Sequence, residues 1–246
     1  MSDKKNLLII FIITLCFFLP FLISPQTLTY KDNDLGRTYI PIIHFIKDSF
    51  SIYKHIPLWR PDQLMGETFI GNPISSLFYP ANILFLLFTA DFAAISYLFL
   101  HFIVAGVSTY FLSRSFSFKN STALATALFY MLSFKMLVHL EAGHLTMIAA
   151  FSYFPLAFLS LRKNLEKLKF AFVVLGSIAL SFMYITYPTI FYYGFIFLFF
   201  YTFYHWISIF QKTHQAVTNF LKSFRAIALI SIIFLGLTAI VIIPQL

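Results

Sequence analysis

The chain has 246 residues, 60% of them hydrophobic and only 11% charged, with a formal net charge of +8. Soluble domains carry about 25% charged residues, so this composition excludes an ordinary soluble fold and predicts an all-α polytopic membrane protein. The cations fall in short loops beside apolar runs, which argues against a nucleic-acid partner, and a single cysteine, Cys16, excludes a disulfide framework.

Lys4 and Lys5 precede the first apolar run, 6–24. It is longer than the ~7–15 residues of a signal-peptide core and no small-x-small cleavage site follows. A retained span is therefore expected. A polar connection follows over 25–90, and then come the apolar segments 91–112, 121–139, 145–161, 170–187, 188–210 and 226–246. Each approaches the ~17–25 residues that cross a bilayer, giving about seven transmembrane helices. Tyr187-Pro188 separates the fifth and sixth, because a residue before proline leaves the helical region. The whole of 1–246 reads as a single transmembrane domain. Its end at Leu246, inside or beside an apolar run, predicts the N-terminal portion of a longer module.

The short-loop cations are Lys4, Lys5, Arg114, Lys119, Arg162, Lys163, Lys167, Lys169, Lys212, Lys222 and Arg225. All fall on one side if the N-terminus is cytoplasmic, and the positive-inside rule then puts 25–90 outside. Lys135, near a span end, is placed to snorkel.

The long connection is the most informative stretch. Tyr39–Tyr53 carries apolar residues at helical spacing, which predicts an amphipathic helix on the membrane surface. Tyr79–Thr89 is apolar but short and predicts an interfacial or re-entrant helix. Asp32 and Asp34 stand just beyond the first span. A carboxylate there can take a proton from a hydroxyl, the pair can hold a divalent cation such as Mg or Mn, or both simply mark a solvated helix end. Arg37 and Arg60 are cations suited to an anionic headgroup, although Arg37 can equally neutralise Asp34. Trp59, among prolines and glycines, either stacks on a sugar or anchors the loop at the interface. Glu141 and His144, with His139 and Gly143, form a second polar knot between the third and fourth spans, open to an interfacial, a phosphate-binding or a metal-binding role. Asp91 can cap the second span, and His101 within it reads as a helix–helix hydrogen-bonding residue. No P-loop, G-x-S-x-G, H-E-x-x-H or CxxC motif is present.

Several of these residues recur in order in one family. Asp34 with Tyr39-Ile40-Pro41, Ile56-Pro57-Leu58-Trp59-Arg60-Pro61, Met65-Gly66, Gly71-Asn72-Pro73, Tyr79-Pro80-Ala81-Asn82, Leu100-His101, Gly143-His144 and Pro155 resemble the YfhO-like bacterial membrane proteins of the GT-C glycosyltransferase superfamily. Asp34 precedes Pro41 by seven residues, matching the spacing of the catalytic acid in that family. Where members carry Gly-His-Pro-Gln near the fifth span, this chain has Ile185-Thr186-Tyr187-Pro188. The resemblance implies an inverting membrane glycosyltransferase in the bacterial cytoplasmic membrane. It would take a sugar from a polyprenyl-phosphate-linked donor to a cell-envelope glycan, glycolipid or protein. Asp34 would be the base, Asp32 its helper or metal partner, and Arg37, Arg60, Trp59, His144 and Glu141 the substrate contacts. The alternative classes are a transporter or lipid-flipping protein, with ionisable groups near the bilayer midplane, and a non-catalytic assembly protein.

Overall fold

The structure is a computed structural model that describes residues 3–62, 65–72, 74–213 and 216–245. Pro73 and Leu246 lie outside the described residues, as does the side chain of Lys212. The chain is an almost wholly helical, multi-pass membrane protein. Among the described residues, six helical stretches are long and apolar enough to cross a membrane: Asp3–Ile23, Ala90–Ser115, Asn120–Ala142, Leu145–Glu166, Pro188–Gln211 and Val217–Gln245. Phe170–Thr186 is a seventh, shorter apolar helix.

In chain order the long elements are α1 (Asp3–Ile23), a short α2 (Gln26–Thr29), α3 (Ile40–Ser51), a short α4 (Ile83–Leu87), α5 (Ala90–Ser115), α6 (Asn120–Met131), α7 (Phe134–Ala142), α8 (Leu145–Glu166), α9 (Phe170–Thr186), α10 (Pro188–Thr213) and α11 (Ala216–Ile242). α8 packs between α5 and α9 and also meets α7, α10 and α11. Small residues allow this closeness: Ala149, Ala150 and Ser152 of α8 and Ala105 and Ser108 of α5 are buried. The Ser108 hydroxyl donates to the carbonyl of Ser152 across that contact, at 3.2 Å.

The third apolar segment departs from the expected continuous helix. It is broken at Leu132–Ser133, where Ser133 adopts an extended conformation and caps α7 by accepting from the Met136 N–H. Leu132-Ser133 carries no charge, so the break is invisible to hydropathy. α9 ends at Thr186 and α10 opens on Pro188, as the Tyr187-Pro188 step predicts. Asp91 does not cap α5. Thr89 occupies the cap position and Asp91 lies in the first turn, where a carboxylate still complements the helix dipole.

One end of the bundle brings together Asp3 of the first helix and the short-loop cations Arg114 and Arg162. Tyr110 donates to Asp3 at 2.6 Å, Arg114 approaches Asp3 at 3.7 Å, and Arg162 donates to the Ser115 carbonyl and pairs with Glu166. The opposite end carries the long connection. There the apolar face of α3 (Ile42, Ile43, Ile46) is buried against α4 and α5, so it covers the bundle where a helix lying on lipid was expected. Beyond α3, a two-residue hairpin pairs β1 (Trp59–Arg60) with β2 (Glu67–Thr68).

The connection is pinned into the bundle by Tyr79, which opens the Tyr-Pro-Ala-Asn turn before α4. His101 is fully buried in α5, and its Nδ1 donates to the carbonyl of Tyr97 at 2.6 Å. Nε2 is then the acceptor for the Tyr79 hydroxyl at 2.6 Å, which in turn meets the Tyr153 hydroxyl at 2.6 Å. Burial raises the Tyr79 phenol well above its ordinary range, so it stays a neutral donor. Asn82 completes the turn by donating to the Ser76 carbonyl at 2.7 Å. Tyr79→Phe leaves the buried His101 Nε2 and the part-buried Tyr153 hydroxyl without that partner, at a cost of about 1–3 kcal/mol. The thermal midpoint of the detergent-solubilised protein is expected to fall by several degrees, and an unchanged midpoint would remove this role.

Candidate functional site

The site is assembled where the segment after α1 docks on the turn between α7 and α8. Asp34 directly precedes a π-helical turn, Leu35–Tyr39, that runs into α3, and its side chain makes no capping hydrogen bond there. Such turns are uncommon and recur at functional positions. Gly36 permits it, because a Cβ there would stand 2.7 and 2.8 Å from the carbonyl oxygens of Thr29 and Lys31.

On the other side, α7 ends in a left-handed cap at Gly143, whose φ is 80°. This puts His139, in the last turn of α7, beside His144, which opens α8. Their Nδ1 atoms are 2.8 Å apart, and Nε2 of His144 lies 3.1 Å from Oδ2 of Asp34. A carboxylate only accepts, so Nε2 of His144 donates to it. When both rings are neutral, His139 donates from its Nδ1 to that of His144. The result is a three-member chain, His139 to His144 to Asp34, graded in exposure from 9% for His139 to 30% and 56% for the side chains of His144 and Asp34. Nε2 of His139 is buried and has no hydrogen-bond partner among the described residues.

Three contacts hold this docking. Lys31 pairs with Glu141 at 2.8 Å, the Asn33 amide donates to the Glu141 carbonyl at 3.0 Å, and the Tyr39 and Thr146 hydroxyls lie 2.8 Å apart. Burial pushes the Tyr39 phenol up to about 12, so it remains a neutral hydrogen-bonding group. Glu141 therefore serves as a clasp for Lys31. Arg37 pairs with Asp32, not with Asp34, which leaves Asp34 to His144, with its second oxygen, Oδ1, in no hydrogen bond or ion pair among the described residues.

That pairing separates the two acids that sequence alone brings together. Asp32 and Asp34 engage different partners, and no group of three His, Cys, Asp or Glu side chains that could hold a metal ion occurs among the described residues.

Arg60 and Trp59 stand elsewhere. Arg60 is buried in the hairpin, donating to both Asp62 oxygens at 3.0 and 3.2 Å and lying over the Phe45 ring at 5.5 Å. Its guanidinium lowers the Asp62 carboxyl below the usual range. A depressed carboxyl keeps this clasp closed at every pH above that range and releases it only on further acidification. Among the described residues no hydrogen bond or ion pair joins Arg60 or Trp59 to Asp34.

Two neighbours that the sequence did not place in a site, Phe151 and the lysine expected to snorkel, Lys135, complete it. Phe151 of α8 stacks on His139, with centroids 5.7 Å apart, and the Lys135 ammonium lies 5.4 Å from the centre of the same ring. Lys135 stands one turn before His139 on α7 and has no carboxylate partner among the described residues. Phe151 and Lys135 also line a groove of about 510 Å3 that the break in the third segment helps to open, together with Tyr130, Phe154, Tyr193 and Phe197. It is a groove, not an enclosed cavity. α7 drops only about 10 Å between Ala142 and Lys135 at 1.5 Å per residue, so the groove lies in the half of the bundle nearest the long connection. Lys135, an exposed lysine on an apolar helix, would have signalled this place only if the helix break had been seen with it.

Comparison with protein-family models, with curated proteins and with solved structures found no match to this chain.

Proposed function

We propose that the chain is a membrane glycosyltransferase of the GT-C kind, related to the YfhO-like proteins. It moves a sugar from a polyprenyl-phosphate-linked donor to a cell-envelope acceptor with inversion. The observation that carries this reading is the meeting of an apolar groove, a lone ammonium and a carboxylate–imidazole chain at Phe151 and His139. A lipid-linked sugar has the same sequence of parts: an apolar tail, an anionic phosphate and a polar sugar.

In this reading the isoprenoid lies in the groove and Lys135, with His139 behind it, faces the phosphate. The free Oδ1 of Asp34 takes the proton of the acceptor hydroxyl. The acceptor oxygen bonds to the anomeric carbon as the bond from that carbon to the phosphate oxygen breaks. The electron pair leaves on the lipid phosphate, where fixed cations stabilise it. His144 is a positioning residue that holds Asp34 by its other oxygen. The cation-rich end supports a cytoplasmic N-terminus, and hence an extracytoplasmic site in a bacterial cytoplasmic membrane. Among the sequence-stated substrate contacts, His144 fits this scheme directly. Arg37 and Glu141 act through the loop that presents Asp34, while Arg60 is held by Asp62 in the hairpin and takes no part in this scheme.

The test is release of free polyprenyl phosphate from radiolabelled polyprenyl-phosphate glucose and N-acetylglucosamine by protein in nanodiscs. Lys135→Met is expected to raise the donor KM about tenfold with little change in kcat, the loss of one charge-assisted contact. His144→Gln is expected to lower kcat roughly tenfold or more at unchanged donor KM. Release that needs neither Lys135 nor His144 would sink the reading.

The helix break at Leu132–Ser133 is the one feature that favours the alternative, a lipid-moving protein, since broken helices mark transport sites. Lipid translocation that persists in Asp34→Asn protein, with no phosphate released by the wild type, would select that alternative.

A further inference from the structure

A second groove, about 750 Å3, lies between the far end of α3 and the hairpin, and the scheme above makes no use of it. Asp48 and Ser49 of α3, Tyr53 and His55 of the turn that follows, and Trp59 and Asp62 of the hairpin line it. The Trp59 indole is 57% exposed. Gly66, with φ of 107°, backs it so closely that a Cβ there would stand 2.5 Å from Cζ2. One side of the ring is thus fixed by backbone while the rest stays open. Tyr53 is exposed and stacked on His55, with centroids 5.9 Å apart. Beside these rings the polar groups are underused. The Asp48 carboxylate makes no hydrogen bond or ion pair among the described residues. The Ser49 hydroxyl is buried and has no hydrogen-bond partner among the described residues, which is costly unless a ligand completes it.

Open aromatic faces beside hydrogen-bond-accepting carboxylates suit a sugar, whose C–H face stacks while its hydroxyls donate. A phosphate-bearing chain is disfavoured, because Asp48 and Asp62 would repel it and the Arg60 guanidinium is already held by Asp62. An apolar tail would strip water from Asp48 without replacing it. Asp48 follows Asp34 by fourteen residues through the continuous π turn and α3. At 1.5 Å per residue this is about 20 Å along the axis. The groove is therefore too distant to hold the reacting hydroxyl and suits a remote unit of an extended chain.

We propose that this groove binds the neutral glycan portion of the acceptor. The word acceptor rests on the glycosyltransferase reading; the binding does not. In full-length protein carrying Trp206→Phe, Trp59 is the remaining indole. Titration with neutral tetrasaccharides of glucose and of N-acetylglucosamine is expected to give a saturable change in its emission. Asp48→Asn should weaken that binding about tenfold, and calorimetry on Trp59→Ala should show it reduced at least as far. No saturable response to either glycan, a response indifferent to both substitutions, or a response to polyglycerol phosphate in place of the neutral glycans would overturn the proposal. Asp34→Asn protein must bind the glycan as the wild type does. Normal binding with transfer unaffected by Asp34→Asn sinks only the catalytic reading, and normal transfer with no glycan binding sinks only this groove.

Discussion

Asp34→Asn is expected to lower sugar transfer by roughly 10²–10⁴-fold, the usual contribution of a positioned general base. Asparagine has the same shape and can still accept from Nε2 of His144, now 3.1 Å from Oδ2, so the docked segment keeps its place. What it cannot do is accept the hydroxyl proton. Donor binding should therefore survive while turnover is lost, a fall in kcat at constant KM. Asp32→Asn is the internal control. Asp32 is exposed and paired with Arg37, and an exposed pair is worth at most about 1 kcal/mol, so less than about a fivefold change is expected. Equal losses from the two substitutions, or wild-type transfer in Asp34→Asn, would remove Asp34 from the chemistry.

The contrast between these two acids marks where the sequence stops being legible. Both stand in Asp32-Asn33-Asp34, and nothing local says which is free. The answer lies in His144, more than a hundred residues away, and in Arg37, whose nearest acid by helical spacing is Asp34 but whose partner is Asp32. Long-range docking of a loop on a turn leaves no period to read. The apolar helices were legible because length and hydrophobicity report directly on a bilayer, and Tyr187-Pro188 because proline acts within one residue. The break before α7 was half legible. Ser133 ahead of an apolar turn is a capping signal, but it is masked inside a run whose hydropathy does not change. Lys135 was accordingly read only as a snorkelling cation, and the break also places it along a groove. Arg60 shows the opposite case. Asp62 lies two residues on, and their pairing across the hairpin start withdraws Arg60 from the surface where a headgroup would meet it.

Gly143→Ala is expected to damage the site as severely as loss of Asp34, by a different route. The residue sits at φ 80° in the cap that ends α7, where its N–H reaches the Leu140 carbonyl and the next N–H returns to His139. A Cβ in that conformation costs about 1 kcal/mol by itself. The larger effect is steric. The added carbon would run into the backbone N and Cβ of Leu35 and stand 3.0 Å from the Asn33 side-chain oxygen, and a backbone atom cannot swing aside as a side-chain end can. The segment 33–35 must lift, and with it go the Asn33 contact to the Glu141 carbonyl and the Asp34–His144 pair together. The helices themselves bury their contacts elsewhere, so the bundle should keep most of its thermal midpoint. Trypsin should cut faster after Lys31 and Arg37, and transfer should fall with Asp34 intact in sequence. Trp59 fluorescence, at the far end of α3, should be little altered. If Gly143→Ala protein resists trypsin and transfers sugar like the wild type, the docked loop is not what holds the base. If transfer is lost while trypsin resistance stays, the glycine acts through the turn that presents His144, and the His139–His144–Asp34 chain is set from the α7 side alone.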